Sequence, residues 1–148
     1  MKAHYLAYAT LITTIGLSGC KSLSATAAQQ VNLSRAQNFY VVQREKGGMN
    51  QVIADELNLM GVHATTGAES AMPHDTDVMV TFDPKWQWDI TMYLLELKME
   101  FRNPSDKIVL VSGRSYRPSL QRADSSAMAR ETLNEMFKKV QSPAAITP

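Results

Sequence analysis

Apolar and polar residues alternate over positions 86–101, and this alternation constrains the fold more than any other feature of the chain. An alternation with a period of two is typical of a half-buried β-strand. The phase changes once, because the apolar residues carry even numbers up to Leu94 and odd numbers from Leu95 onward. One strand face cannot hold both sets without a shift, so we predict a β-bulge or bend at residues 93–95. A helix over residues 89–97 is the alternative, and the continued alternation favours the strand.

Two amphipathic helices are predicted on either side of this run. Apolar residues at helical spacing over positions 49–60 indicate the first helix, and Gly61 is a suitable residue to end it. A second apolar stripe over positions 129–140 indicates the last helix, for which Asp124, Ser125 or Ser126 can supply the N-cap.

Further strands are predicted from β-branched and aromatic runs at residues 39–43, 62–65, 77–82 and 107–116. The strand at 77–82 is expected to end at Asp83 and Pro84, because proline cannot donate a backbone hydrogen bond. Residues 92–116 are expected to form an antiparallel hairpin, with Gly113 as a candidate bulge.

The predicted order of elements is β-α-β-β-β-β-α, with a mostly antiparallel sheet. Helices with one apolar stripe and a sheet with one apolar face bury each other, so the expected fold class is α+β, a two-layer sandwich. The chain has 148 residues, and we assign this single domain to residues 38–141 and a disordered tail to 142–148.

The N-terminal region has the pattern of a targeting signal. Lys2 is followed by an apolar run over residues 5–17, which is too short to cross a bilayer core that needs about 20 helical residues. It has the length of a signal-peptide core. The run ends in Leu17, Ser18, Gly19 and Cys20, and this tetrad resembles the lipobox of bacterial lipoproteins.

The resemblance implies that residues 1–19 are a signal peptide, that Leu17, Ser18 and Gly19 are recognised by the signal peptidase, and that Cys20 becomes a lipidated N-terminus. In proteobacterial lipoproteins an acidic residue after the cysteine favours the inner membrane. Lys21 occupies that position here, so the resemblance implies the periplasmic face of the outer membrane. Residues 20–37, rich in Ser, Thr, Ala and Gln, are expected to be the lipidated cysteine and a flexible tether.

Composition excludes several kinds of protein. Cys20 is the only cysteine, so its lipidation would leave no thiol for a disulfide or a cysteine-bound metal. Fifteen basic and fourteen acidic residues nearly balance, which argues against binding to nucleic acid, because that needs a basic excess. No cofactor is expected.

The most unusual patch is the pair Trp86 and Trp88, which lie two apart and therefore share a strand face. They either anchor the core or, if the strand end projects beyond the helices, form an aromatic platform for a partner. A cluster of four arginines near the second hairpin could hold anionic groups, although a solvated rim is the simpler interpretation. These residues are Arg102, Arg114, Arg117 and Arg122. We predict a partner-binding surface made of Trp86, Trp88, Tyr93, Arg114 and Arg117.

Other chemistry is weakly indicated. His74, Asp75 and Asp77 are close in sequence, but their spacing matches no familiar zinc pattern, so no metal site is predicted. No nucleophile elbow or phosphate-binding loop is present in the sequence, so we do not expect an enzyme. Catalysis would require His63 and His74 to converge.

The pattern of residues 38–140 is similar to that of small α/β periplasmic lipoproteins, including uncharacterised families and accessory subunits of envelope machines. That similarity implies a membrane-anchored, non-catalytic accessory or scaffold subunit that binds another cell-envelope component, with an envelope protein as the expected partner. The alternative is a carrier that holds a lipid or glycan between helices and sheet, in a cavity lined by methionines. The candidate lining residues are Met49, Met60, Met92 and Met99.

Overall fold

A computed structural model describes residues 20–28 and 31–141, with the side chain of Gln141 excepted. The predicted signal peptide, residues 17–19 of the lipobox and the predicted tail at 142–148 lie outside the described residues. The elements, in chain order, are β1 (Ser22–Ala27), β2 (Asn38–Val42), α1 (Met49–Leu59), β3 (His63–Gly67), β4 (Val78–Asp89), β5 (Thr91–Arg102), β6 (Val109–Tyr116) and α2 (Ser125–Gln141).

The strands form one mixed sheet in the order β1-β6-β5-β4-β2-β3. The pairings β1–β6, β6–β5 and β5–β4 are antiparallel, whereas β2 is parallel to both β3 and β4. The α+β class is confirmed, and the predicted order matches the structure except for β1. Among the described residues, no helix has both the length and the apolar character needed to cross a bilayer.

Both helices cover the same face of the sheet. Glu56 of α1 accepts hydrogen bonds from Arg130 of α2 at 2.8 and 2.9 Å, which joins the helices side by side. The core lies beneath them. Alternate residues of the central strands, among them Val80, Met99 and Val111, are fully buried there. The opposite face carries a small apolar cluster and is otherwise largely polar.

Helix α1 begins and ends as its sequence predicts. Gly48 precedes it with a φ of 78°, and Gly61 follows it with a φ of 90°. Residues with a side chain rarely adopt these left-handed conformations, so the two glycines limit the helix on both sides. The backbone N–H of Ala127 donates to the carboxylate of Asp124 at 2.7 Å, which makes Asp124 the N-terminal capping residue of α2.

The flexible tether predicted at residues 20–37 is wrong over much of its length. Residues Ser22–Ala27 form β1, an edge strand fully paired with β6. Farther along, Val31, Leu33 and Ala36 pack against the core. Backbone hydrogen bonds to β6 hold β1 in place, and this pairing does not require apolar side chains. The side chains of β1 are therefore mostly small and polar, and the segment shows no hydrophobic period in the sequence.

The predicted break at Pro84 is also wrong, because β4 continues through it to Asp89. Strand β2 pairs with β4 only at residues 78–80, so one edge of β4 is unpaired farther along. A proline is tolerated in such a strand, since only one neighbour requires its hydrogen bonds.

The predicted β-bulge is confirmed. Lys85 lies opposite Glu96 while Trp86 lies opposite Leu94, so Leu95 is the extra residue. The shift places Leu94 on the same face as Leu97, and Leu94 is only 2% exposed. The two phases of the alternation therefore meet on the face that the helices cover.

Gly113 does not lie at a bulge, because its pairing with both neighbouring strands is regular. Its role is close packing beneath α2. A Cβ atom at this position would lie 2.6 Å from Cγ of Met136 and 2.8 Å from Cγ2 of Thr132. Glycine therefore allows α2 to approach the sheet.

Candidate functional site

Strands β4 and β5 extend beyond the rest of the sheet as a two-stranded ribbon, residues 85–95, which we call the β4–β5 arm. Strand β6 pairs with β5 only from Glu96 to Arg102, so it ends where the arm begins. The arm is the outer part of two strands of 12 residues each, which are joined by a turn at Ile90.

One face of the arm is apolar and exposed. Trp86 is 39% exposed and Trp88 is 66% exposed, and they lie opposite Leu94 and Met92 on β5. Met92 is 59% exposed and Ile90, at the tip, is 87% exposed. Among the described residues eight large apolar side chains are exposed, and four of them belong to the arm. The arm is therefore the main apolar surface of the domain.

The tip of the arm has an unusual backbone conformation. Ile90 has a φ of 61°, in the left-handed region that β-branched residues strongly disfavour. A turn selected for its geometry alone would place glycine or asparagine at this position. Ile90 nevertheless places an apolar side chain, 87% exposed, at the tip of the arm despite that cost.

Arg122 fastens the arm to the segment before α2. Its guanidinium donates to the Thr91 hydroxyl at 2.8 Å, to the backbone carbonyl of Asp89 at 2.9 Å and to the Asp89 carboxylate at 3.0 Å. It also lies 4.2 Å from the ring centroid of Tyr93, a cation–π contact. Tyr93 lies opposite Gln87, on the face away from the tryptophans. The structure thus places Tyr93 in the support of the arm and not with Trp86 and Trp88.

We expect the substitution Arg122→Ala to loosen the arm without unfolding the domain. It removes three hydrogen bonds and one cation–π contact, all at a partly exposed site, so the global free energy of unfolding should fall by no more than about 1 kcal/mol. Amide hydrogen exchange at residues 87–93 should accelerate severalfold, while exchange in α1 is unchanged. Arg44→Ala is the control, because within the part of the chain that the structure describes Arg44 makes no hydrogen bond to the arm. Equal exchange in the two variants would show that Arg122 does not hold the arm.

Arg114 and Arg117 do not join the tryptophan surface. Arg114 donates to Glu96 at 2.5 Å and to the hydroxyl of Ser22 at 3.2 Å, across neighbouring strands. Burial acts to raise the pKa of Glu96, but the hydrogen bond and charge of Arg114, together with the charges of Lys98 and Lys85, lower that pKa overall. Arg114 therefore has an internal acidic partner.

Arg117 makes a bidentate ion pair with Glu131 of α2 at 2.6 and 2.5 Å, and its side chain is only 12% exposed. Lys21 approaches the same carboxylate at 3.5 Å. Burial acts to raise the pKa of Glu131, and Arg117 followed by Lys21 lowers it overall. Arg117 thus joins α2 to the end of β6. Arg114 and Arg117 therefore bond to carboxylates away from the tryptophans, and their part in partner binding stays a prediction.

The four arginines do not form an anion-binding cluster either. Arg102 pairs with Glu100 and donates to the backbone carbonyl of Lys107 at 2.9 Å. Each of the four guanidinium groups contacts its own carboxylate, so their charges are locally balanced.

Asp77, considered above for metal binding, has a structural role. One of its carboxylate oxygens, Oδ2, accepts hydrogen bonds from the backbone N–H groups of Gln37 and Asn38, each with an N–O distance of 2.9 Å. These two hydrogen bonds lower the pKa of Asp77. Within residues 20–28 and 31–141, no group of three or more His, Cys, Asp or Glu side chains is placed to hold a metal ion.

The four methionines proposed for a carrier cavity lie apart. Met49 and Met99 are buried in the core with exposures of 1% and 0%, and Met92 is on the arm. Met60 borders a groove of about 410 Å³ between residues 33–37 and α2. The four residues therefore do not line a common cavity.

Sequence reasoning assigned Trp86 and Trp88 to the contact surface but not Ile90 or Met92, and it proposed Met92 for the carrier cavity instead. The signal was available, because all four residues continue the even-numbered alternation that begins at Val78. The predicted break at Pro84 separated this run from the strand at 77–82, so a single long strand projecting from the sheet was not expected.

No family model matches this sequence, and no curated protein matches it. Solved structures with a similar fold include two of PelC from Paraburkholderia phytofirmans, both dodecamers. A PelC variant is 14% identical with a TM-score of 0.56, and the alignment covers 82% of this chain and 99% of that one. A second PelC structure is 12% identical with a TM-score of 0.56, covering 83% and 99%. At these identities the similarity shows a shared fold and nothing more.

Proposed function

We propose that this protein is a lipid-anchored, non-catalytic accessory or scaffold subunit that contacts another component of the cell envelope through the β4–β5 arm. The anchor is Cys20, and the compartment is the periplasmic face of the outer membrane. One observation carries the proposal. Trp86, Trp88, Ile90 and Met92 expose their side chains on a projecting arm, in a domain whose other apolar strand faces are largely covered.

Two further observations support it. The lipobox-like tetrad ending at Cys20 is followed by Lys21 and not by an acidic residue, which agrees with outer-membrane sorting. PelC, a protein of similar fold, is a dodecamer, so this fold is compatible with a role in assemblies.

The proposed activity is localisation. A lipid anchor confines the domain to the membrane surface, which raises the effective concentration of the arm near any component held on the same membrane. Tryptophan and isoleucine side chains supply large apolar contact areas, which commonly dominate the energy of an interface. No bond needs to be made or broken for such a subunit to act.

A photocrosslinking amino acid at position 88 tests this proposal in intact cells. We expect Trp88→benzoylphenylalanine to give covalent adducts with protein or lipid of the envelope. The same substitution at Ile108, which is 59% exposed in the turn at the other end of β5, should give at least about fivefold less.

The comparison isolates the arm, because both positions carry exposed apolar residues. Adding Trp86→Ala to the position-88 variant should reduce the adducts further. Similar yields from positions 88 and 108 would refute the arm as the contact surface.

A further inference from the structure

The β4–β5 arm and the lipidation residue leave the sheet at the same end. Ser22 pairs with Tyr116, Tyr116 with Glu96, and Glu96 with Lys85, so these four residues form one row across β1, β6, β5 and β4. Cys20 lies two residues outside this row. The arm begins at the same row and extends in the same direction.

The link between Cys20 and the sheet is shorter than the arm. Two extended residues span at most about 7 Å between Cys20 and the row. From the row to Ile90 the arm has five residues, about 16 Å at the usual rise of a strand. Because β1 belongs to the sheet, no long tether separates the domain from its anchor. A bilayer that holds the lipid on Cys20 therefore lies within reach of the arm.

The side chains of the arm suit the boundary between headgroups and acyl chains. Tryptophan is enriched at that depth, because its ring is apolar and its N–H can meet a polar partner. Asp89, the only acidic residue of the arm, is paired with Arg122 at 3.0 Å. Lys85, at the base, is exposed and lies opposite Glu96, which also pairs with Arg114, so the base of the arm adds no unbalanced negative charge facing anionic headgroups. Leu120, which is 87% exposed and two residues before Arg122, adds an apolar side chain at this end.

The backbone of the arm limits how deeply it can enter. The outer edge of β4 is unpaired beyond residue 80, and its polar groups need water or headgroups as partners. The hydrocarbon interior cannot provide them. The arm is consequently suited to the interface and not to spanning.

We infer that the β4–β5 arm inserts Trp86, Trp88, Ile90 and Met92 into the headgroup boundary of the bilayer that anchors Cys20. This inference rests on the proposed function, and it names the envelope component that the arm contacts. Two attachment points, the lipid and the arm, fix the orientation of the domain on the membrane. The opposite end of the sheet, with the turn before β6, then faces away from the bilayer.

Tryptophan fluorescence tests the inference directly, because Trp86 and Trp88 are the only tryptophans in the chain. The lipidated protein is reconstituted in vesicles of phosphatidylethanolamine and phosphatidylglycerol, with or without bromine atoms on carbons 6 and 7 of the acyl chains. We expect a blue-shifted emission and at least about twofold quenching by the brominated lipid. Unshifted emission without quenching would overturn the inference.

A relocated tryptophan provides the control. The variant Trp86→Phe, Trp88→Phe and Ile108→Trp carries its single tryptophan at the opposite end of β5, and its emission should not be quenched. Equal quenching at position 108 would also overturn the inference, because it would show that the signal does not depend on the arm.

The vesicles contain no second protein, which separates this inference from the proposed function. Protein adducts at position 88 in cells, combined with no quenching in vesicles, would refute membrane insertion while leaving the proposed function intact. Equal adducts at positions 88 and 108 would instead refute the proposed function itself.

Discussion

Replacing Phe101 with alanine is expected to lower the free energy of unfolding by about 3–5 kcal/mol. Phe101 is fully buried, and its ring contacts those of Phe39 and Phe137 with centroid distances of 5.5 and 5.4 Å. The three rings join β5, β2 and α2. Alanine would remove one of three rings that all contact one another and leave a cavity between sheet and helix. Because domains of this size have total stabilities of about 5–15 kcal/mol, the loss would be a large fraction.

Urea unfolding of residues 20–148, with serine at position 20, measures this effect. The midpoint should fall while the slope of free energy against urea stays constant. Ile108→Ala is the control, since Ile108 is 59% exposed and should contribute no more than about 0.5 kcal/mol. A loss below about 1 kcal/mol for Phe101→Ala would show that the rings do not form the centre of the core.

The features that were predictable from sequence are those with a hydrophobic period. Helix α1 has an apolar stripe and ends near Gly61, and both properties follow from side-chain chemistry within a few residues. The bulge was predictable because the alternation changes phase, and only one extra residue on one strand can keep both phases on one face. Leu95 is that residue.

Strand β1 could not be predicted in the same way. Among its six residues only Ala25 is buried, and the rest are held mainly by backbone pairing with β6 and by small polar contacts. One such contact joins the hydroxyl groups of Thr26 and Ser112 at 2.9 Å. Backbone hydrogen bonds carry no residue-specific pattern, so a serine-rich and alanine-rich edge strand has the composition of a linker.

The arginines show a different limit of sequence reasoning. Arg114 and Arg117 are close along the chain, yet one reaches Glu96 on β5 and the other reaches Glu131 on α2. Both partners are distant in sequence. Nearness along the chain suggested a shared surface, whereas the tertiary fold gives each charge a separate carboxylate. The tryptophans were easier to place, because their shared face follows from strand periodicity alone.

Replacing Cys20 with serine is expected to move most of the protein from the membrane fraction to the soluble fraction. Each buried methylene of a lipid contributes about 0.8 kcal/mol, so losing the acyl chains should weaken membrane attachment by a factor on the order of a thousand or more. The measurement is cell fractionation with mass spectrometry. The mass should lack the lipid, whereas a Ser22→Ala control should retain both the lipid and the membrane location.

The arm determines what remains after the lipid is lost. A few interfacial side chains give only marginal and reversible binding, comparable to a single acyl chain, so a minor fraction of the Cys20→Ser protein should stay with the membrane. Adding Trp88→Ala should release that fraction, because the anchor and the arm are separate attachments at one end of the sheet. A Cys20→Ser protein that stays in the pellet, with a mass changed only by the exchange of sulfur for oxygen, would instead show that Cys20 is not the anchor. In that case the position of the bilayer relative to the arm would no longer be known, because it is inferred from a lipid attached two residues before β1.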